Sequence, residues 1–215
     1  MNENQPNSIP KRKPGRPKVE QSPTKMSILR TGAFLFMEVG YEKVSLESVA
    51  KACGITKASV YYYFNNKSEL FTECLVAVMT IAHNATAKIL NEDMPLKDKL
   101  IKIAIRQMSN AHLDFESMMR DAAVELSDEQ TENIRKAEKK LHDIVHDAFQ
   151  DGIVSGEITN HHSPVVLAHT FVALLTMKNH LNLKQQQIPV EQLVAQMIEI
   201  LWTGIQKEGQ SNESM

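Results

Sequence analysis

The chain is predicted to be all-α, and three observations carry that prediction. Aromatic residues make up only 6% of a chain that is 42% hydrophobic, whereas strands favour aromatic and β-branched residues. Eight Gly and eight Pro in 215 residues leave few turns, so the elements must be long. Apolar residues recur at three- and four-residue spacing along most of the chain, with no convincing strand and no internal repeat. The pattern counts about nine helices, three of them in a small N-terminal unit and the rest in a larger body.

Helical periodicity starts near Thr24 and runs through Ile28, Leu29, Ala33 and Phe36 to Gly40, a natural stop. A second helix is expected at Ser45–Cys53, where Leu46, Val49, Ala50 and Cys53 share one face. Ser45 is placed to cap it, and Glu47 suits the positive end of its dipole. Gly54 then supplies a left-handed stop, Ile55 plugs the corner, and Thr56 caps a short third helix over about Lys57–Phe64. A fourth opens at Asn66 with Glu69 three residues on, a start like a capping box. It buries Phe71, Leu75, Val78, Met79 and Ala82 and ends near Asn91. Leu96–His112, Asp114–Leu126 and Asp128–Ser155 read as three more. Ser163-Pro164 opens the strongly apolar Val165–Asn182, and a last helix runs from Pro189 to about Lys207.

The totals narrow the function classes. Residues 1–67 hold 11 Lys and Arg against 5 Asp and Glu, while the remainder holds 13 against 21. A basic front on an acidic body implies that the front faces a polyanion. Two cysteines, Cys53 and Cys74, inside helical patterns imply free thiols in a reducing compartment. The polar N-terminus has no signal-peptide h-region, and no uninterrupted apolar run is expected to span a bilayer. A cytoplasmic, nucleoid-associated protein with no membrane partner is expected.

Residues 45–67 carry the sharpest signal. Two short helices joined by a three-residue turn containing Gly form a helix-turn-helix. In that arrangement the first helix crosses the DNA backbone, and the second presents its N-terminal residues to base edges in the major groove. The run Leu46-x-x-Val49-Ala50-x-x-Cys53-Gly54-Ile55-Thr56-Lys57-Ala58-Ser59-Val60-Tyr61-Tyr62-Tyr63-Phe64-x-x-Lys67-x-x-Leu70, with its approach Ile28-Leu29, Leu35-Phe36 and Gly40-Tyr41, resembles the N-terminal signature of the TetR family of regulators. The resemblance covers about residues 24–72. It departs at position 58, often Gly or Pro in that family and here Ala, and at Phe34 and Val39, where polar residues are usual.

The resemblance implies a DNA-binding repressor with roles for particular residues. Ser45 and Ser48 reach phosphates. Thr56, Lys57, Ala58 and Ser59 open the recognition helix, where Lys57 donates to guanine and Ala58 touches a thymine methyl. Tyr61, Tyr62, Tyr63 and Lys67 are set for the phosphates that fix register. Three successive tyrosines point about 100° apart and sweep about 200° of a helix, so at least one must face inward. Val60 and Phe64 are core in any reading.

Residues 1–22 are expected to form a disordered tail, being polar and holding four of the eight prolines. Within it Pro14-Gly15-Arg16-Pro17, flanked by basic residues, resembles an AT-hook. Arg12, Lys13, Arg16 and Lys18 would then follow the narrow minor groove of A·T-rich DNA. A purely electrostatic tail is the alternative.

The expected boundaries are 23–72 for the DNA-binding domain and 73–210 for a ligand-binding and dimerisation domain. By resemblance, helices 163–182 and 189–207 pair with their copies in a homodimer that reads a palindromic operator. The apolar excess of Val165–Leu181 supports an interface independently. A small apolar inducer would release the DNA by tilting the fourth helix, from a pocket lined by Met79, Met108, His112, Phe115, Met118, Met119, Phe149, Phe171 and Met177. For each of these, plain core packing is the competing reading.

His142 and His146 stand one helical turn apart, but Lys139 and Lys140 beside them argue for a solvated face rather than a metal pair. No metal, cofactor or catalytic residue is expected. A helical-bundle metalloenzyme would need inward Glu-x-x-His motifs, which are absent. No phosphate loop or nucleophile elbow is present either. The alternative within the same fold is a nucleoid-associated DNA-binding protein without an inducer.

Overall fold

A computed structural model describes residues 22–109, 115–177 and 188–206. Among them stand nine helices: α1 (Pro23–Val39), α2 (Leu46–Cys53), α3 (Lys57–Tyr61), α4 (Lys67–Leu90), α5 (Leu96–Ser109), α6 (Phe115–Ala122), α7 (Asp128–Ser155), α8 (Pro164–Thr176) and α9 (Val190–Ile205). The one extended pairing among the described residues is an isolated bridge between Ile158 and Gln206.

Local chemistry sets the ends of these helices. Ser22 accepts from the amide of Lys25 at the start of α1, with Pro23 in the first turn. Ser45 and Ser48 cap α2 reciprocally, so the expected cap is a full capping box with Ser in the acidic partner's place. Gly54 closes α2 at φ 67°, a left-handed conformation that costs an L-residue energy. Asn66 caps α4 through the Glu69 amide. The Glu69 carboxylate bonds the backbone and side chain of Asn65 instead, one residue earlier than a capping box requires. Helix α6 ends at Ala122, four residues short of the expected Leu126, and residues 123–125 form a turn.

Two hydrophobic cores divide the molecule. The first joins α1 to α3 and the front of α4 with Met118, Met119 and Ala122 of α6 and Ile134 of α7. Its centre is an aromatic trio: Phe71 meets Phe36 and Tyr41 edge-on at 5.0 and 4.9 Å, the offset geometry that ring quadrupoles favour. The second core joins the end of α4 and α5 with the later half of α7, α8 and α9. Gly32 lets α1 approach α4 closely, since a Cβ there would lie 2.9 Å from Cys74 Sγ.

Helix α4 runs unbroken through the expected boundary at 72/73 and serves both cores. Its apolar residues are interrupted by Glu73, His83 and Asn84, yet the average is high. Its 24 residues reach a mean hydropathy of 1.3 over their most apolar stretch, long and apolar enough to cross a membrane. Packing against α1 on one side and α7 on the other accounts for that composition.

Candidate nucleic-acid interface and ligand cavity

The turn between α2 and α3 places the predicted reading residues in two groups. Lys57 and Ala58 stand exposed at the start of α3. Tyr61 and Tyr62, 42% and 46% exposed, stand one turn on. Ser45, Ser48, Thr56 and Ser59 form the second group, and their hydroxyls are engaged locally. Ser45 and Ser48 cap each other, and Thr56 Oγ1 accepts from the Ser59 amide at 3.2 Å while lying 2.8 Å from its hydroxyl. Any phosphate contact from them would use a remaining lone pair or proton.

Tyr63 is the inward member of the three tyrosines. It packs against the first core, and its hydroxyl lies 2.8 Å from Ser22 Oγ. That contact ties the recognition segment to the first residue of the described chain. Arg12, Lys13, Arg16 and Lys18 lie outside the described residues, as does His112. Phe34 and Val39 are exposed, 52% and 43%.

The two described cations expected at the interface, Lys57 and Lys67, each carry a carboxylate partner, and neither pairing is read from the sequence. Lys57 pairs with Glu47 of α2 and lies over the Tyr61 ring at 5.2 Å. The pairing lowers the carboxyl's pKa and raises the ammonium's. Lys67 lies 3.5 Å from Glu125 in the α6–α7 turn and 4.1 Å over the Tyr41 ring. Tyr41 itself donates to Glu125 Oε2 at 2.7 Å. Burial first, and then that bond to a carboxylate, pushes the phenol well above its ordinary value. Glu47 was legible only as a helix-dipole acid, and nothing in the spacing points to Glu125.

A cavity of about 450 Å³ opens between α4, α5, α7 and α8, within the usual size range of small-molecule sites. Its walls are mainly apolar: Val78, Met79, Ile103, Leu141, Val145, Phe171 and Leu175. The polar groups are Thr86, Arg106, Gln107, His142 and Thr176. Arg106 is the one permanently charged side chain in its lining among the described residues.

Of the predicted liners among the described residues, Met79 and Phe171 border this cavity and the others do not. Met108 and Phe149 are buried in the second core, and Met177 is exposed. Phe115, Met118 and Met119 belong to the first core. Periodicity identified them as inward-facing but did not say against what.

His142 also differs from the solvated face expected of it. It is half-buried, 5.3 Å from His169 between ring centres, and its buried Nδ1 has no hydrogen-bond partner among the described residues. Burial lowers its pKa. Among the described residues no cluster of three or more His, Cys, Asp or Glu side chains is arranged to hold a metal ion.

The fold and the exposed reading helix define an all-α protein with an N-terminal helix-turn-helix. Residues 28–74 match the family model described as "Bacterial regulatory proteins, tetR family", so this stretch of the chain is similar to the N-terminal domain of that family. An uncharacterized HTH-type transcriptional regulator, YhgD of Bacillus subtilis (strain 168), is 26% identical over 137 residues, 62% of this chain and 71% of that protein. The HTH-type transcriptional regulator AcrR of Shigella flexneri is 39% identical over 56 residues, 26% of each chain. The transcriptional regulator FadR of Bacillus subtilis, solved with stearoyl-CoA, superposes with a TM-score of 0.67 at 20% identity, covering 83% of this chain and 98% of that one. The last likeness is one of fold.

Proposed function

We propose that this chain is a transcriptional repressor that binds a palindromic operator as a homodimer and is released by a small molecule that carries an apolar chain. The observation that carries the reading is the exposed α3. It presents Lys57, Ala58, Tyr61 and Tyr62 on a helix held by caps at both ends of the preceding turn. Lys57 addresses base edges, Tyr61 and Tyr62 address phosphates, and the basic tail adds non-specific affinity. The protein acts on the nucleoid in the cytoplasm and carries out no catalysis.

The dimer forms through α8 and α9. Val165 and Val166 of α8 and Ile200 of α9 are 50%, 57% and 76% exposed, although both helices bury their other faces in the second core. Such faces on one part of a molecule are suited to a self-complementary two-fold contact. Two recognition helices would then lie about one DNA turn apart.

The ligand occupies the cavity beside α4. The apolar walls suit a hydrocarbon chain, and Arg106 suits an anionic or strongly polar head. The stearoyl-CoA held by FadR makes an acyl thioester the first compound to test. Ligand binding shifts α4, which carries both cores, so that the two heads leave operator spacing. By linkage the ligand must bind the DNA-free protein more tightly. The test titrates stearoyl-CoA into the protein on an operator duplex and follows anisotropy. Release at saturating ligand supports the reading. Equal affinity of the ligand for free and DNA-bound protein contradicts it.

A further inference from the structure

We infer that Glu125 is a positioning residue that sets the DNA affinity of the head by withholding Lys67. The inference rests on the reading that this head binds duplex DNA. The Lys67 side chain is only 19% exposed although it opens a helix at the surface, whereas Glu125 is 47% exposed. Two contacts hold the ammonium in place, the Glu125 carboxylate and the face of the Tyr41 ring, and Tyr41 in turn fixes that carboxylate through its 2.7 Å hydrogen bond. A cation between a carboxylate and an aromatic face is already partly neutralised. To engage a phosphate, Lys67 must exchange Glu125 for it.

The placement of Glu125 gives this exchange regulatory weight. Tyr41 and Lys67 belong to the reading head, but Glu125 belongs to the turn joining α6 to α7. Gln130 near the start of α7 also reaches Ser68, 3.4 Å away, beside Lys67. Further along, α7 contributes Leu141, His142 and Val145 to the cavity. Displacement of the α6–α7 turn therefore changes the number of head cations available to DNA. Glu47 differs in this respect, because it pairs with Lys57 entirely within the head.

The test measures binding of the full chain to a short duplex of mixed sequence across a salt series. This sequence-independent binding reports phosphate contacts directly. The variants are Glu125→Gln, Lys67→Gln, the double variant, and Glu125→Asp. Glutamine keeps an acceptor for Tyr41, and thermal melts verify folding.

Glu125→Gln is expected to bind several-fold tighter at low salt, with a salt slope steeper by about one. The same change in the Lys67→Gln background is expected to do nothing. Glu125→Asp keeps the charge but shortens the side chain, and is expected to show part of the gain. Equal tightening with and without Lys67 would reduce Glu125 to a general repulsive charge and overturn the inference. So would an unchanged slope in Glu125→Gln. Failure of the wild-type chain to bind the duplex at all would instead overturn the DNA-binding reading beneath it.

Discussion

The head and the body use the same element, the helix, but hold it differently. In the head, each of the first four helices is fixed by a specific local device: Ser22, Ser45 with Ser48, Gly54, Thr56 and Asn66 each set an end. An aromatic trio then locks the arrangement. In the body, α7 has its own capping box, Ser127 with Gln130, and a left-handed stop at Gly156, but α8 and α9 lack a side-chain cap and rest on broad aliphatic contact, with a cavity left between α4, α5, α7 and α8. A reading surface must keep angstrom-level geometry, so its helices are pinned at their ends. The proposed ligand site must admit a guest and transmit its presence, which a cavity between helices allows.

The largest predicted effect would break the head side of this contrast. Phe71→Ala removes the shared member of the trio, and should cost about 3–5 kcal/mol in urea denaturation and abolish duplex binding. A loss below ~1 kcal/mol would mean that the trio is not the head's keystone. Next, Lys57→Ala should weaken operator binding by about 1–3 kcal/mol and relax sequence preference at one position, with an unchanged melting temperature. Uniform weakening across all sequences would make Lys57 a phosphate contact. Gly54→Ala places a Cβ on a left-handed residue and should cost ~1 kcal/mol. The Ala variant melting at the wild-type temperature would show that the α2–α3 corner relaxes freely.

Two smaller effects sharpen the body side. Arg106→Ala should weaken stearoyl-CoA binding by about 1.4 kcal/mol, roughly tenfold, with operator affinity retained in the absence of ligand. No change in ligand affinity would place the polar head elsewhere. The smallest effect is in pH dependence.

Burial holds the His142 pKa below its ordinary 6.5, with His169 of α8 acting in the same direction and Glu138 and Asp143 of α7 opposing it. The unfolded chain therefore takes up a proton before the folded one does, and stability present above pH 6.5 is lost as pH falls through the folded value. Melts of His142→Gln should lose less stability than wild type on acidification. Parallel curves would show that His142 does not drive the acid loss.

The contrast also explains what was legible in the sequence. Caps are local, so Ser45, Gly54, Thr56 and Asn66 were readable from neighbours within a few residues. The angular argument that one tyrosine must turn inward held as well, although only the fold identifies Tyr63. Partners across helices were not readable. Tyr41 and Glu125 are 84 positions apart, and no periodicity connects them. Met118 and Met119 were correctly inward-facing, but a helical pattern reveals a buried face without revealing its neighbour. His142 was hidden by its charged flanks, Lys139 and Asp143. These pair with each other and leave the imidazole inside.

The central claim is that two copies of this head read DNA together, and selection of bound duplexes from a random pool by the full-length protein tests it most directly. A dimeric head should enrich a short palindrome whose half-sites lie about one helical turn apart. Enrichment of A·T-rich duplexes without two-fold symmetry would contradict it, and would assign the binding to the basic tail rather than to α3.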